Sequence, residues 1–217
     1  MKYFSDLERI CALFTELFTQ AHETGTSGNM SVRISEEAFA IKPTGCTYRD
    51  ITTDSISQVS LKNGLLLKGL RPSSDVMAHL SIYRARPDIQ AVLHTHSHFA
   101  TVMALCNEPL NTFSTMHVDY FGQKIPCLPF INHRDSDFGL QIIQAGVDIA
   151  LLEKHGAVIL LKDPLKAPTL LCALEESAKL NYHTLTLSRV LQKKIEPITS
   201  KDAEKMHRYY KKDYGQK

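Results

Sequence analysis

Ala91-Val92-Leu93-His94-Thr95-His96-Ser97 is the stretch on which the reading of the chain turns. The apolar run from Ile89 to His94 has the length and composition of a buried strand. On a strand, residues two apart point to the same face, so His94 and His96 can both reach one metal ion. The same pair also suits two histidines at the edge of a core, bonded to backbone. A third histidine bears on the choice. Leu151-Leu152-Glu153-Lys154-His155-Gly156-Ala157 places His155 where the apolar stretch 149–161 is interrupted, and a sheet can deliver such a residue to the first two from the opposite side. Three imidazoles that leave one position open describe a catalytic zinc-type centre rather than a structural one. The remaining histidines, His22, His79, His98, His117, His133, His183 and His207, have no such context.

Working outward, the spacing of Leu7, Ile10, Leu13, Phe14, Leu17, Phe18 and Ala21 predicts an amphipathic helix over residues 4–22. Residues 24–29 form a loop. Met30, Val32 and Ile34 alternate with Ser31 and Arg33 as a half-buried strand does, and 38–42 is its partner, ended by Pro43-Thr44-Gly45. Lys62-Asn63-Gly64 between apolar runs marks a hairpin, because Asn and Gly both tolerate positive φ. The serines of Arg71-Pro72-Ser73-Ser74 offer an N-cap to a helix that runs to about residue 86. A helix over 98–106, strands over 125–128 and 149–161, a long helix over 164–193 and a last one capped by Thr199-Ser200-Lys201-Asp202 complete the reading. This order predicts an α/β fold in which a largely antiparallel sheet is covered by helices on both faces. With no repeat or Pro/Gly-rich linker, residues 1–217 read as one domain.

Composition excludes several function classes. Lys and Arg number 25 against 23 Asp and Glu, with no dense basic block, so binding to nucleic acid by phosphate neutralisation is not expected. No apolar run approaches the roughly 20 residues of a membrane span. The N-terminal stretch carries Asp6 and Glu8 where a signal peptide would be basic and then apolar. Cys11, Cys46, Cys106, Cys127 and Cys172 are an odd, widely spaced set, expected to be small buried apolar residues of a reducing, cytoplasmic compartment. Neither nucleotide-binding glycine motif occurs.

Asp75 stands at the predicted helix start, where the helix dipole favours an acid whatever its function. It could equally be an oxygen ligand to the metal or a base beside it. Ser73 and Ser74 with their exposed backbone N–H groups suit a phosphate at that helix end. Gly28-Asn29 and Thr44-Gly45 are two further loops of anion-binding composition.

The assembled pattern resembles the class II aldolase/adducin family. The matching blocks are Thr26-Ser27-Gly28-Asn29-Met30-Ser31, Ile41-Lys42-Pro43-Thr44-Gly45, and Arg71-Pro72-Ser73-Ser74-Asp75 through His79. They continue with Ile82-Tyr83, Arg86-Pro87-Asp88, His94-Thr95-His96-Ser97 and His155-Gly156, in the family's order. The resemblance implies a three-layer α/β/α domain with a mainly antiparallel central sheet. It implies a divalent cation, Zn2+ or another such as Mn2+, held by His94, His96 and His155. Gly28, Asn29, Lys42, Thr44, Gly45, Ser73 and Ser74 match its substrate-binding loops, and a phosphorylated ketose is the implied substrate. A homotetramer with sites at subunit interfaces is implied as well.

Three features are similar to the family's 4-epimerase branch, which acts on ribulose phosphate. Asp75 stands where the aldolases carry a glutamate base, and in the epimerases this aspartate is a fourth metal ligand. His117-Val118-Asp119-Tyr120-Phe121 resembles the stretch holding an acid/base aspartate, here Asp119. Tyr214-Gly215-Gln216 resembles the ending whose tyrosine, here Tyr214, is the second acid/base and reaches a neighbouring subunit. Ser27 and the short segment 130–146 are departures, the serine being the aldolase-like form. The implied chemistry is reversible cleavage of C3–C4 with Asp119 and Tyr214 opposed across the site. The alternatives are an aldolase of the fuculose-phosphate type, which releases the aldehyde, decarboxylase or dehydratase relatives sharing the metal site, and a non-catalytic, adducin-like assembly module.

Overall fold

The computed structural model describes residues 3–21, 25–132 and 137–214. His22, Thr24, His133, Gly215, Gln216 and the side chains of Phe18 and Ala21 lie outside the described residues. Eight strands form one sheet: β1 (Asn29–Arg33), β2 (Ala38–Ile41), β3 (Ser57–Ser60), β4 (Leu66–Lys68), β5 (Ala91–Thr95), β6 (Cys127–Leu128), β7 (Ile149–Leu152) and β8 (Gly156–Leu161). Their order across the sheet is β4-β3-β2-β1-β5-β8-β7-β6, and every neighbouring pair is antiparallel except β6 with β7.

Among the described residues seven α-helices accompany the sheet: α1 (Leu7–Ala21), α2 (Val76–Ala85), α3 (His98–Leu105), α4 (Thr115–Phe121), α5 (Phe138–Ala145), α6 (Ala167–Val190) and α7 (Ser200–Asp213). The period-2 alternation of the strands divides the interior in two. Met30, Val32, Ala91, Leu93, Leu151 and Ile159 pack under α1, α3 and α6 through Phe14, Leu17, Met103, Leu171 and Leu174. Phe39, Ile41, Val92, Leu152, Val158 and Leu160 face the other way, onto Leu80, Ile82 and Tyr83 of α2 and Phe138 and Ile142 of α5. The expected α/β/α layering is thus found, with β5 and β8 at its centre and apolar on both faces.

Several local expectations are corrected. Residues 115–121 and 138–145 are helices that hydrophobic spacing does not suggest, because each is only two turns long. Their caps carry the signal instead: Ser114 accepts from His117 N and Asp137 from Gly139 N, and Gly122 and Gly146 close them at φ +72° and +65°. The serines before α2 do not cap it. Asp75 holds the N-cap position, while Ser73 Oγ accepts from the Asp75 amide. In the β3–β4 turn Gly64 has positive φ and Asn63 does not; Asn63 Oδ1 instead accepts from Leu65 N. The long helix begins at Ala167, after a short 3-10 turn over Pro164–Lys166. The cysteines are not fully buried: Cys106, at the end of α3, and Cys172, on α6, are exposed, and Cys11, Cys46 and Cys127 are half-buried against the edge of the core.

Candidate metal centre

Sheet register builds the centre. Residue Asn29 of β1 lies opposite His94 of β5, and His94 lies opposite Val158 of β8. His94 and His96 leave the end of β5 on one side of the strand, as their spacing requires. His155 arrives from the β7–β8 turn, where Lys154 has φ +60°. That turn is pinned by Glu153 N donating to Leu128 O at 2.9 Å and Lys154 N to Ala104 O at 3.2 Å. Its other end depends on Gly156, where an added Cβ would stand 2.4 Å from Thr95 O. Only a residue without a side chain lets β8 approach β5 closely enough to bring the third imidazole in.

The three rings lie 4.5 to 5.2 Å apart, centre to centre, and one nitrogen from each falls within 4.8 Å of the other two. His94 is 1% exposed, and its Nδ1 is 2.9 Å from Ala157 O. A carbonyl only accepts, so Nδ1 carries the hydrogen and Nε2 presents a lone pair. That Nε2 is buried with no hydrogen-bond partner. Burial, then His96 and His155, hold the His94 pKa well below its ordinary value, so the ring is neutral at pH 7. Phe138 walls the centre, its ring 5.4 Å from His94 and 6.3 Å from His155. Three imidazoles converging on one point, one of them with a buried lone pair that nothing among the described residues satisfies, fit a divalent cation.

A cavity of about 400 Å3 opens beside His96 and His155, lined by Gly28, Asn29, Lys42, Thr44, Gly45, Ser73, Ser74 and Asp75. Every candidate substrate-binding residue therefore lies on one wall of one cavity. Backbone bonds tie the contributing loops together: Thr44 N donates to Arg71 O and Ser73 N to Lys42 O, at 3.0 and 3.1 Å. Lys42, only 2% exposed, donates from Nζ to Thr26 O at 2.7 Å, so its ammonium also fastens the glycine loop. The Asp75 carboxylate makes no cap bond to α2; its Oδ2 accepts from Asn29 Nδ2 at 2.6 Å. Asp75 thus holds the N-cap position of α2 without a side-chain cap bond, and it lines the cavity.

Asp119 and Tyr214 lie elsewhere in the chain. Neither lines this cavity. Asp119 is on α4, its carbonyl accepting from His207 Nδ1 at 2.8 Å, and Tyr214 follows α7, 69% exposed and stacked on Tyr210 at 5.0 Å. Both act electrostatically on Tyr210, whose pKa rises to about 12 mainly through its hydrogen bond with Tyr120. The two groups expected on opposite sides of a site thus share one patch in a single chain.

Two contributors are not singled out by the sequence reading. Glu175 of α6 accepts from Phe99 N and Ala100 N at 2.8 and 3.1 Å, anchoring the start of α3 just after His96. The pairing spans the chain and follows no local pattern. His79, which its neighbours in sequence do not single out, is fully buried next to the centre and hydrogen-bonded to Ser31.

The chain is similar to known proteins over most of its length. Residues 8–182 match the family model described as the class II aldolase and adducin N-terminal domain. A 3-oxo-tetronate 4-phosphate decarboxylase of Pectobacterium atrosepticum is 32% identical over 78% of this chain and 80% of its own. An L-fuculose phosphate aldolase of Methanocaldococcus jannaschii is 30% identical over 87% of this chain and 99% of its own. A probable L-ribulose-5-phosphate 4-epimerase of Mycoplasma pneumoniae is 40% identical over 47% of this chain, which spans 43% of that relative. Among solved structures, an L-fuculose 1-phosphate aldolase superposes with a TM-score of 0.83 at 24% identity, over 94% of this chain and 95% of that one. At that identity the likeness speaks for the fold.

Proposed function

From the premise that this chain belongs to the class II aldolase and adducin family, whose enzymes depend on a divalent metal and act as sugar-phosphate aldolases, epimerases and decarboxylases, we propose that it is a cytoplasmic 4-epimerase of L-ribulose 5-phosphate. The observation that carries the reading is the cavity in which Asp75, two of the three imidazoles and the three anion-binding loops meet.

The substrate explains the residue set. In a 2-ketose phosphate the C4 hydrogen is not next to the carbonyl, so deprotonation at carbon cannot invert C4, whereas breaking C3–C4 can. Gly28, Asn29, Thr44, Gly45, Ser73 and Ser74 bind the phosphate through backbone N–H and hydroxyl groups, fixing one end of the sugar. His94, His96 and His155, with Asp75, hold a divalent cation, zinc by the chemistry of the donors, which when bound supplies Lewis-acid stabilisation of the negative charge left on the ketose fragment. Asp119 or Tyr214 removes the C4 hydroxyl proton as the bond breaks. The aldehyde fragment turns, the bond re-forms on its other face, and the partner group returns a proton to the oxygen. Because neither group lines the cavity of its own chain, the α4–α7 patch serves the site of an adjoining copy, as a homotetramer with sites between subunits provides.

A specific observation favours a second reading, an L-fuculose-1-phosphate aldolase. The relative so named is matched over 99% of its length, whereas less than half of the epimerase is. One assay decides between them. Purified protein loaded with zinc is given L-ribulose 5-phosphate and, separately, L-fuculose 1-phosphate. Xylulose 5-phosphate in the first reaction is the expected result; dihydroxyacetone phosphate in the second, with no turnover in the first, assigns the aldolase instead.

A further inference from the structure

Behind the cavity a line of buried polar groups runs from the sheet to the centre. Tyr83 OH is 2.8 Å from Ser31 Oγ, and Ser31 Oγ is 2.7 Å from His79 Nδ1. Ser31 and His79 are fully buried and Tyr83 is 1% exposed. Buried hydrogens need acceptors, which orders the line. The single phenol hydrogen goes to Ser31 Oγ, the serine hydrogen goes to His79 Nδ1, and the imidazole hydrogen is left on Nε2. The reverse order strands the phenol hydrogen as well as an Nε2 lone pair, two unsatisfied groups in place of one.

His79 Nε2 is itself buried and has no hydrogen-bond partner among the described residues. It stands one helical turn after Asp75, its amide donating to Asp75 O at 3.2 Å, so both side chains occupy one face of α2. The ring packs edge-on against Phe138 at 6.3 Å, the same phenyl group that walls His94 and His155. Asp75 meanwhile has only its Oδ2 engaged by Asn29. A carboxylate that gives one oxygen to a metal is steadied by a donor on the other.

We infer that His79 is a positioning residue: held as its Nε2–H tautomer by Ser31 and Tyr83, it supplies the buried donor that receives the Asp75 carboxylate when this turns from Asn29 toward the three imidazoles. The inference rests on the metal-centre reading above.

Zinc titration of the metal-free protein against a chromophoric chelator tests it, using wild type, His79→Leu, His79→Gln, Asp75→Ala and the His79→Leu/Asp75→Ala double variant. His79→Leu is expected to weaken zinc binding by roughly 10- to 100-fold. His79→Gln, whose amide N–H stands near the place of Nε2, is expected to regain most of that loss. In the Asp75→Ala background His79→Leu should have no further effect. An equal loss in both backgrounds overturns the inference, since His79 then acts on the fold and not through Asp75. Nitrogen NMR of the unsubstituted protein is an independent test, because a proton found on Nδ1 of His79 also overturns it. Failure of the underlying reading looks different: wild type then binds no zinc, or binds it as tightly after His94→Ala. Zinc binding that needs His94 yet ignores His79→Leu removes only the role assigned to His79.

Discussion

The histidine end of the sheet and the α4–α7 face both carry candidate chemistry, and they are built in opposite ways. At the sheet end the groups are held by their surroundings: the fully buried His94 by Ala157, the glycine loop by Lys42, the half-buried His155 by the pinned β7–β8 turn. On the α4–α7 face, Asp119 and Tyr214 gather around Tyr210, with Tyr214 69% exposed and outside the cavity. A site that must hold a cation needs desolvated, pre-positioned ligands, which one chain can supply from its own core. An acid/base group that meets the substrate at the cavity mouth can instead be lent by a second chain.

The sharpest way to break this contrast is His94→Ala. Turnover should fall by roughly 10^3-fold or more, because several kcal/mol of charge stabilisation vanish at about 1.4 kcal/mol per decade. Metal analysis of the same sample should show the ion gone; full turnover without metal would falsify the role of the centre. Asp119→Asn and Tyr214→Phe should each lower kcat by about 10^2-fold with metal content unchanged, the low end of what a positioned acid or base contributes. Mixing Asp119→Asn protein with His94→Ala protein should then restore part of the activity, as shared sites require, and no recovery after subunit exchange would place the α4–α7 face outside catalysis.

Gly156→Ala should cost about 1–3 kcal/mol, since the new methyl group meets the Thr95 carbonyl at 2.4 Å. Thermal unfolding measures the cost, and zinc affinity should drop with it, because β8 carries His155 away from β5. Acid should destabilise the metal-free protein by a related route. Burial lowers the pKa of His79 from 6.5 to about 4 and moves that of His117 in the same direction. Below pH 6.5 the unfolded chain therefore binds protons that the folded chain refuses, so stability present at pH 7 is lost progressively toward pH 4. A Tm that stays level from pH 7 to pH 5 contradicts the buried neutral histidines. The smallest change is expected from Cys172→Ser, an exposed position where stability should move by no more than about 0.5 kcal/mol.

How much was legible in the sequence follows the range of the interaction responsible. The His94-Thr95-His96 spacing and the cap at Thr199, whose Oγ1 accepts from Asp202 N, are local, and each is found in the fold; the alternation in Met30-Ser31-Val32 marks a strand, but one buried on both faces rather than half-buried, because Ser31 and Arg33 face α2 and not solvent. Residues 115–121 and 138–145 escape hydrophobic spacing because two turns of helix show too few apolar repeats, although their caps are in plain view. Glu175 and the buried setting of His79 leave no trace, being contacts between residues far apart in sequence or dictated by packing.

Taken alone, the order of residues determined which side chains could carry the chemistry and that both faces of a central sheet would be covered, because strand period and helix spacing are written in neighbouring positions. Tertiary structure decided the rest. Register set Asn29 beside His94, a glycine let β8 close on β5, and the Asp75 side chain, at the N-cap of α2, bonds Asn29 and not the helix. Those outcomes depend on which distant surfaces exclude water together, and no window of adjacent residues contains that information.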